Sequence, residues 1–132
     1  MLKYLFIVFI IYIYFFSKKT HSIYGSIQRS KKELQKGLMF RKKSLQAKEG
    51  MLFAMKQNSN NTVWMKNTYI PLDIIFLDSS MKVVGYKMNT TPLSLATISI
   101  NKPSSYILEM NAGSITNLDI SKGDLIDFME IN

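Results

Sequence analysis

Cysteine is missing from these 132 residues, and histidine and tryptophan occur once each, as His21 and Trp64. Without thiols there is no disulfide framework, no cysteine nucleophile and no thiolate metal site. Beyond His21 the chain has no imidazole either, which removes the commonest general base and any His-containing metal centre. The absence of cysteine is compatible with an oxidising compartment but does not require one. The glycines form no phosphate-binding loop pattern; Gly37, Gly50, Gly113 and Gly123 read as boundaries between elements. Acidic residues are also few, nine against seventeen Lys and Arg, for a formal charge of +8.

What is present begins with Lys3 and an unbroken apolar run from Tyr4 to Phe16, closed by Ser17, Lys18 and Lys19. Thirteen residues fall short of the ~20 that an ordinary membrane span needs and suit the apolar region of a secretory signal. Thr20 and Ser22 are small enough for the positions before a cleavage site after Ser22. Residues 1–22 are therefore expected to be a signal peptide, or an N-terminal membrane anchor if the aromatic run and the Lys pair resist processing. Residues 23–132 are expected to form a single domain, exported to a periplasm or secreted, or retained at the membrane. About 110 residues can support one hydrophobic core without staples.

The positive charge is local. Arg29, Lys31, Lys32, Lys36, Arg41, Lys42, Lys43 and Lys48 face only Glu33 and Glu49 in the same stretch, whereas bases and acids nearly balance from Gly50 onward. Such a segment suits an anionic surface, with Arg41, Lys42 and Lys43 as its candidate contacts, or is simply a solvated face. Phe40 alone interleaves with these bases, which argues against nucleic acid, where stacking aromatics are needed.

In chain order, Tyr24 to Gln28 reads as a first strand, and Ser30-Lys31-Lys32-Glu33 as a capping box opening a helix over Lys31 to Lys36 that ends at Gly37. Met51 to Ala54 is a short buried strand, Lys56 to Asn61 a polar loop, and Val63 to Met65 another strand. The stretch Val63 to Asp78 then holds the most specific information. A Lys66-Asn67-Thr68 triplet interrupts apolar surroundings, Pro71 fixes a turn, and Leu72 to Leu77 lacks alternation, as a strand covered on both faces should. Asp78 to Met81 turns into Lys82 to Met88, giving a hairpin. Tyr106 to Met110 is a strand, Ser114 an N-cap for a helix over Ile115 to Leu118, and Leu125 to Met129 a closing strand. Residues 89–103 carry only loose alternation of apolar positions.

Several of these segments share a resemblance. Trp64-Met65-Lys66-Asn67-Thr68 followed by Ile70-Pro71-Leu72-Asp73-Ile74, Gly37-Leu38-Met39 with Ser30, Glu33 and Arg41, Tyr106 to Gly113, and Ile120 with Gly123-Asp124 resemble the bacterial family called domain of unknown function 192. Met81 departs from it, standing where the family usually has Gly. The resemblance implies a small β barrel, in accord with the fold expected from the residues themselves: mostly β (α+β), a compact, largely antiparallel, barrel-like sheet with one or two short helices. It implies no activity.

For chemistry, carboxylates, hydroxyls and lysines remain. Asp73 and Glu109 each lie inside an apolar strand, where a carboxylate needs a partner or a raised pKa, and Lys66 and Asn67 are the nearest candidates to partner them. Trp64, Lys66, Asn67, Thr68, Asp73, Glu109 and Asn111 form the candidate ligand site, with the Trp64 ring as an apolar wall. The same residues could instead be polar fasteners of irregular backbone. The expected function is a non-enzymatic binding or accessory module taking a small polar ligand or a protein partner, monomeric, with no cofactor and no resident metal. The alternative is a metal-assisted hydrolase of phosphodiesters, with two carboxylates on a divalent cation. Enzyme or not is a question the residue types leave open.

Overall fold

The computed structural model describes residues 1–16 and 18–132. In chain order it runs α1 (Leu2–Phe16), β1 (Thr20–Gln28), α2 (Lys31–Lys36), β2 (Glu49–Ser59), β3 (Leu72–Leu77), β4 (Val83–Lys87), β5 (Ser104–Asn111), α3 (Ser114–Leu118) and β6 (Leu125–Glu130). The six strands form one curled sheet in the order β4-β3-β5-β2-β1-β6. Three ladders are antiparallel, and β1 pairs in parallel with both β2 and β6. The two edges meet at one end, where Val83 N donates to Asp124 O (2.8 Å), Gly123 N to Val83 O (2.8 Å) and Ile126 N to Met81 O (3.0 Å). The fold is therefore a barrel-like α+β sheet, as the sequence implies.

Every residue of β3 is buried. Alternation along the strands assigns the side chains to two cores, one on each face. Ile75 and Leu77 join Leu108, Met110, Leu52, Ile23 and Ile126 on the inside of the curl, sealed by Ile115 and Ile120. Leu72, Ile74 and Phe76 join Ile107, Phe53, Leu38 and Leu45 on the outer face. That second core is why β3 lacks alternation: the connections before β2 and on either side of β3 and β4 cover the face that would otherwise meet water.

Several local expectations shift. β1 begins at Thr20 rather than Tyr24, so the expected cleavage position after Ser22 lies inside a strand whose residues Thr20, His21 and Ser22 pair with Leu125, Ile126 and Asp127. The apolar run is helical as α1, about 22 Å long at 1.5 Å per residue. No described helix is long and apolar enough to cross a membrane. Ser17, which closes the run, lies outside the described residues. Val63 to Met65 is not a strand but a single bridge from Val63 to Ile98, because the chain leaves the sheet to cover its outer face. The capping box forms as expected: Glu33 N donates to Ser30 Oγ (3.1 Å) and Ser30 N to Glu33 Oε2 (2.9 Å). Ser114, by contrast, caps nothing; the N-cap of α3 is Gly113, at φ 94°, and its donors are taken by another residue, Asp73.

Candidate functional site

The outer core leaves a gap between α2 with its following turn and the connection that leads into β3. Leu34, Leu38, Met39, Phe53, Met55 and Val63 give it apolar walls, Lys36, Trp64, Lys66, Asn67 and Thr68 surround it, and Glu109 reaches it from β5. The cavity holds about 490 Å³, within the range of small-molecule sites. Its Trp64 side is built on a tight turn: Thr68 N donates to Met65 O (3.1 Å) and Thr68 Oγ1 to Lys66 O (3.1 Å). Asn67 sits at φ 52°, a left-handed conformation that Asn tolerates better than most residues. Its carbonyl accepts Phe40 N at 2.8 Å, tying the turn to the segment after α2.

Glu109 is only 6% exposed. In β5 it is paired with Met51 on one side and Ile74 on the other, so its side chain lies among apolar neighbours of the outer face. Among the described residues none donates a hydrogen bond or a counter-charge to its carboxyl group. Burial pushes its pKa from 4.5 up to about 8, so at neutral pH the group is chiefly protonated, both a donor and an acceptor at the cavity wall.

Lys66, expected to partner Asp73 or Glu109, does neither. Its ammonium lies over the Trp64 ring, 5.0 Å from the centroid. Lys66 opens the turn that follows Trp64 and reaches back over its ring, while Asp73 faces the opposite side of the sheet and Glu109 enters the cavity from β5. Asp73 belongs to the inner face and is fully buried. Its Oδ1 accepts Asn89 N (2.8 Å), and its Oδ2 accepts Gly113 N (3.1 Å) and Ile115 N (2.9 Å). It fastens the loop after β4 to the start of α3. Asn111 clamps Leu45, accepting from its N–H (2.9 Å) and donating to its carbonyl (2.6 Å). Of the seven candidate residues, Trp64, Lys66, Asn67, Thr68 and Glu109 border the cavity, while Asp73 and Asn111 are engaged in closed backbone contacts elsewhere.

Asp73 and Glu109 therefore do not converge on a common cation. Among the described residues no group of three His, Asp or Glu has metal-binding geometry. Lys42 and Lys43 are exposed, and Arg41 donates from Nε to Lys43 O at 2.9 Å. The apolar walls were the part that sequence reading missed. One signal was available: Met51, Phe53 and Met55 alternate along β2 and share the face of Glu109.

Comparison with known proteins agrees on the family. The domain of unknown function 192 (DUF192), described as "Uncharacterized ACR", matches residues 14–128. A crystal structure from Sinorhizobium meliloti 1021, provisionally described as a transcription regulator, is 35% identical, with a TM-score of 0.73 over 76% of this chain and 78% of that one. A protein of unknown function from Novosphingobium aromaticivorans DSM 12444 is 37% identical, with a TM-score of 0.72 over 76% of this chain and 71% of that one. No curated protein matches.

Proposed function

The chain belongs to the DUF192 family, and from that premise we propose that it is a non-enzymatic binding or accessory module that takes a small ligand into the Trp64 cavity. The observation that carries this is the Glu109 carboxyl group, which opens onto a cavity of about 490 Å³ from an otherwise buried residue and has no hydrogen-bond partner among the described residues. An acid on a largely apolar wall costs stability, and an apolar residue of similar size would pack there without that cost. A ligand that hydrogen-bonds the carboxyl group would supply the missing partner. The chemistry fits a compact molecule with an apolar body against Trp64, Phe53 and Met55 and one neutral or cationic polar group that meets Glu109. A cationic head would draw the proton off Glu109 and leave a paired charge at the cavity wall.

The test is a ligand screen by NMR chemical-shift change on the full chain, using small molecules that share an apolar body and carry an amide, an ammonium or a carboxylate. Amide or ammonium members should perturb the signals of Trp64 and Glu109, and Glu109→Leu should abolish the effect while leaving the fold intact. Binding that survives Glu109→Leu, or a screen in which only carboxylates bind at another surface, would overturn the proposal.

A further inference from the structure

Folding accounts poorly for one set of exposed residues. Phe40 (56% exposed), Trp64 (47%), Tyr69 (44%), Leu93 (55%) and Leu95 (65%) are large apolar side chains left in solvent. They sit on segments that the backbone ties together. Phe40 N donates to Asn67 O (2.8 Å), Leu93 N to Thr68 O (3.0 Å) and Met65 N to Ser94 O (3.1 Å), and the Phe40 and Tyr69 rings meet edge to face at 6.3 Å. Two of the five are also in the wrong conformation for their type: Phe40 has φ 65° and Leu93 φ 64°. Left-handed positions favour Gly or Asn, and for a bulky side chain they are strained. At both positions the chain carries a residue that is worse for the backbone and worse for water than Asn would be. Strain of this kind points to a surface role.

The charge of these segments supplies the second observation. Residues 34–48, 50–72 and 79–108, which carry all five, include Lys36, Arg41, Lys42, Lys43, Lys48, Lys56, Lys66, Lys82, Lys87 and Lys102 and not one Asp or Glu. Glu33, Glu49 and Asp78 adjoin these segments, and each carboxylate turns back onto backbone N–H groups, of Arg29 and Ser30, of Gln46, and of Ser80 and Lys82 respectively. An exposed apolar ridge on segments whose charged side chains are all basic is complementary to a surface that is anionic outside and apolar just beneath. We propose that this ridge docks the domain onto an anionic phospholipid bilayer, with Phe40, Trp64, Tyr69 and Leu93 at the depth of the head groups and Arg41, Lys42, Lys43 and Lys66 against the phosphates. Trp and Tyr favour that depth because one end of the ring system is apolar and the other polar, and lysines near an anionic leaflet are attracted within a Debye length. Leu93 and Leu95 favour a bilayer over a single-stranded nucleic acid, since a leucine offers a base no face to stack on. Helix α1, whose apolar side chains from Leu2 to Ile11 are exposed, is a separate element that a bilayer would also cover. Trp64 and Lys66 also border the cavity, whereas Phe40, Tyr69, Leu93 and Arg41 to Lys43 do not, and the variants of the test are drawn from these.

Trp64 is the only tryptophan, so its fluorescence reports this face and not α1. The full chain is mixed with vesicles of phosphatidylglycerol and phosphatidylcholine, and separately with vesicles of phosphatidylcholine alone. With the anionic vesicles, Trp64 emission should shift to the blue and resist acrylamide, and added salt should reverse both; with phosphatidylcholine alone, Trp64 should stay open to acrylamide even where α1 inserts. Phe40→Asn with Leu93→Asn should remove the shielding. Because Asn suits both φ values, the urea midpoint of that variant should be unchanged or raised, which separates lost docking from lost folding. Arg41→Gln, Lys42→Gln and Lys43→Gln together should weaken the shielding several-fold. Equal behaviour with the two vesicle types, no shielding with either, or quenching by a single-stranded oligonucleotide in place of the anionic vesicles would overturn the proposal.

Discussion

Asp73 and Glu109 lie on adjacent antiparallel strands, one register step apart, yet their carboxyl groups face opposite sides of the sheet. Ile74 is the partner of Glu109, and Met110 that of Asp73. Asp73 thus shares the inner face with Met110, and Glu109 the outer face with Ile74 and the cavity. One carboxyl group is held by three backbone donors; the other has none among the described residues. Two acids that look alike in sequence therefore make opposite contributions to stability.

For Glu109 the pKa moves from 4.5 when unfolded to about 8 when folded. The folded state then binds the proton more tightly, so stability should fall as pH rises between those values and level off above about 8. The size of the fall, at ~1.4 kcal/mol per pKa unit, is on the order of 3–5 kcal/mol. Glu109→Gln should abolish this slope and be more stable than the wild type at pH 9. Urea unfolding across pH 4 to 9 measures it, and a wild-type curve without the downward slope would show that Glu109 has a partner in solution.

Asp73→Ala should behave in the opposite way. It leaves Asn89 N, Gly113 N and Ile115 N without acceptors in or near the core. The expected loss is about 3–5 kcal/mol, since bonds to a charged group are among the stronger ones and stranded buried donors add their desolvation. Hydrogen exchange should show α3 and the loop after β4 opening together. A loss below about 1 kcal/mol would mean that water replaces the carboxylate.

These outcomes mark what the sequence could and could not convey. Leu72 to Leu77 is legible as a doubly covered strand because six adjacent apolar residues leave no polar face. The Ser30 and Glu33 box is legible because its partners are three residues apart. The departure at position 81 left the turn type open in the sequence; the backbone there is left-handed, with Met81 at φ 65°. The partner of Lys66 was not legible, because which face Asp73 and Glu109 occupy depends on the register between β3 and β5, set by contacts far apart in sequence. The cap of α3 failed for the same reason, the capping carboxylate lying some forty residues upstream.

The start of β1 makes a further prediction. His21 Nε2 lies 2.9 Å from Asp124 Oδ2, which also accepts Ser121 N, while Asp124 Oδ1 accepts Lys19 N. Burial pushes the Asp124 carboxyl up, but the hydrogen bonds from His21, Ser121 and Lys19 outweigh it and hold the pKa below the ordinary carboxylate value. Its stabilising contribution is thus present above that ordinary value and is lost as pH falls through the lower folded one. A chain starting at Ile23 loses the pairs of Thr20, His21 and Ser22 as well. It should be about 2–4 kcal/mol less stable than one starting at Lys18. Equal unfolding midpoints would show that residues 18–22 contribute nothing to the domain, and mass spectrometry of native protein would then show whether the chain begins at Ile23.

Lys66 gives the last prediction. If it neutralised a buried carboxylate, Lys66→Met would strand that charge and cost about 3–5 kcal/mol. Its ammonium instead rests over a half-exposed indole, 5.0 Å from the ring centroid. A cation over an exposed ring contributes only about 0.5–1 kcal/mol, and the methionine side chain keeps most of the apolar contact with Trp64. Lys66→Met should therefore shift the unfolding free energy by less than about 1 kcal/mol while changing the Trp64 emission, since the charge beside the ring is gone. A loss of several kcal/mol would restore a buried ion pair. A small loss leaves Lys66 and Trp64 as a pair held at the cavity edge for something other than the stability of the fold.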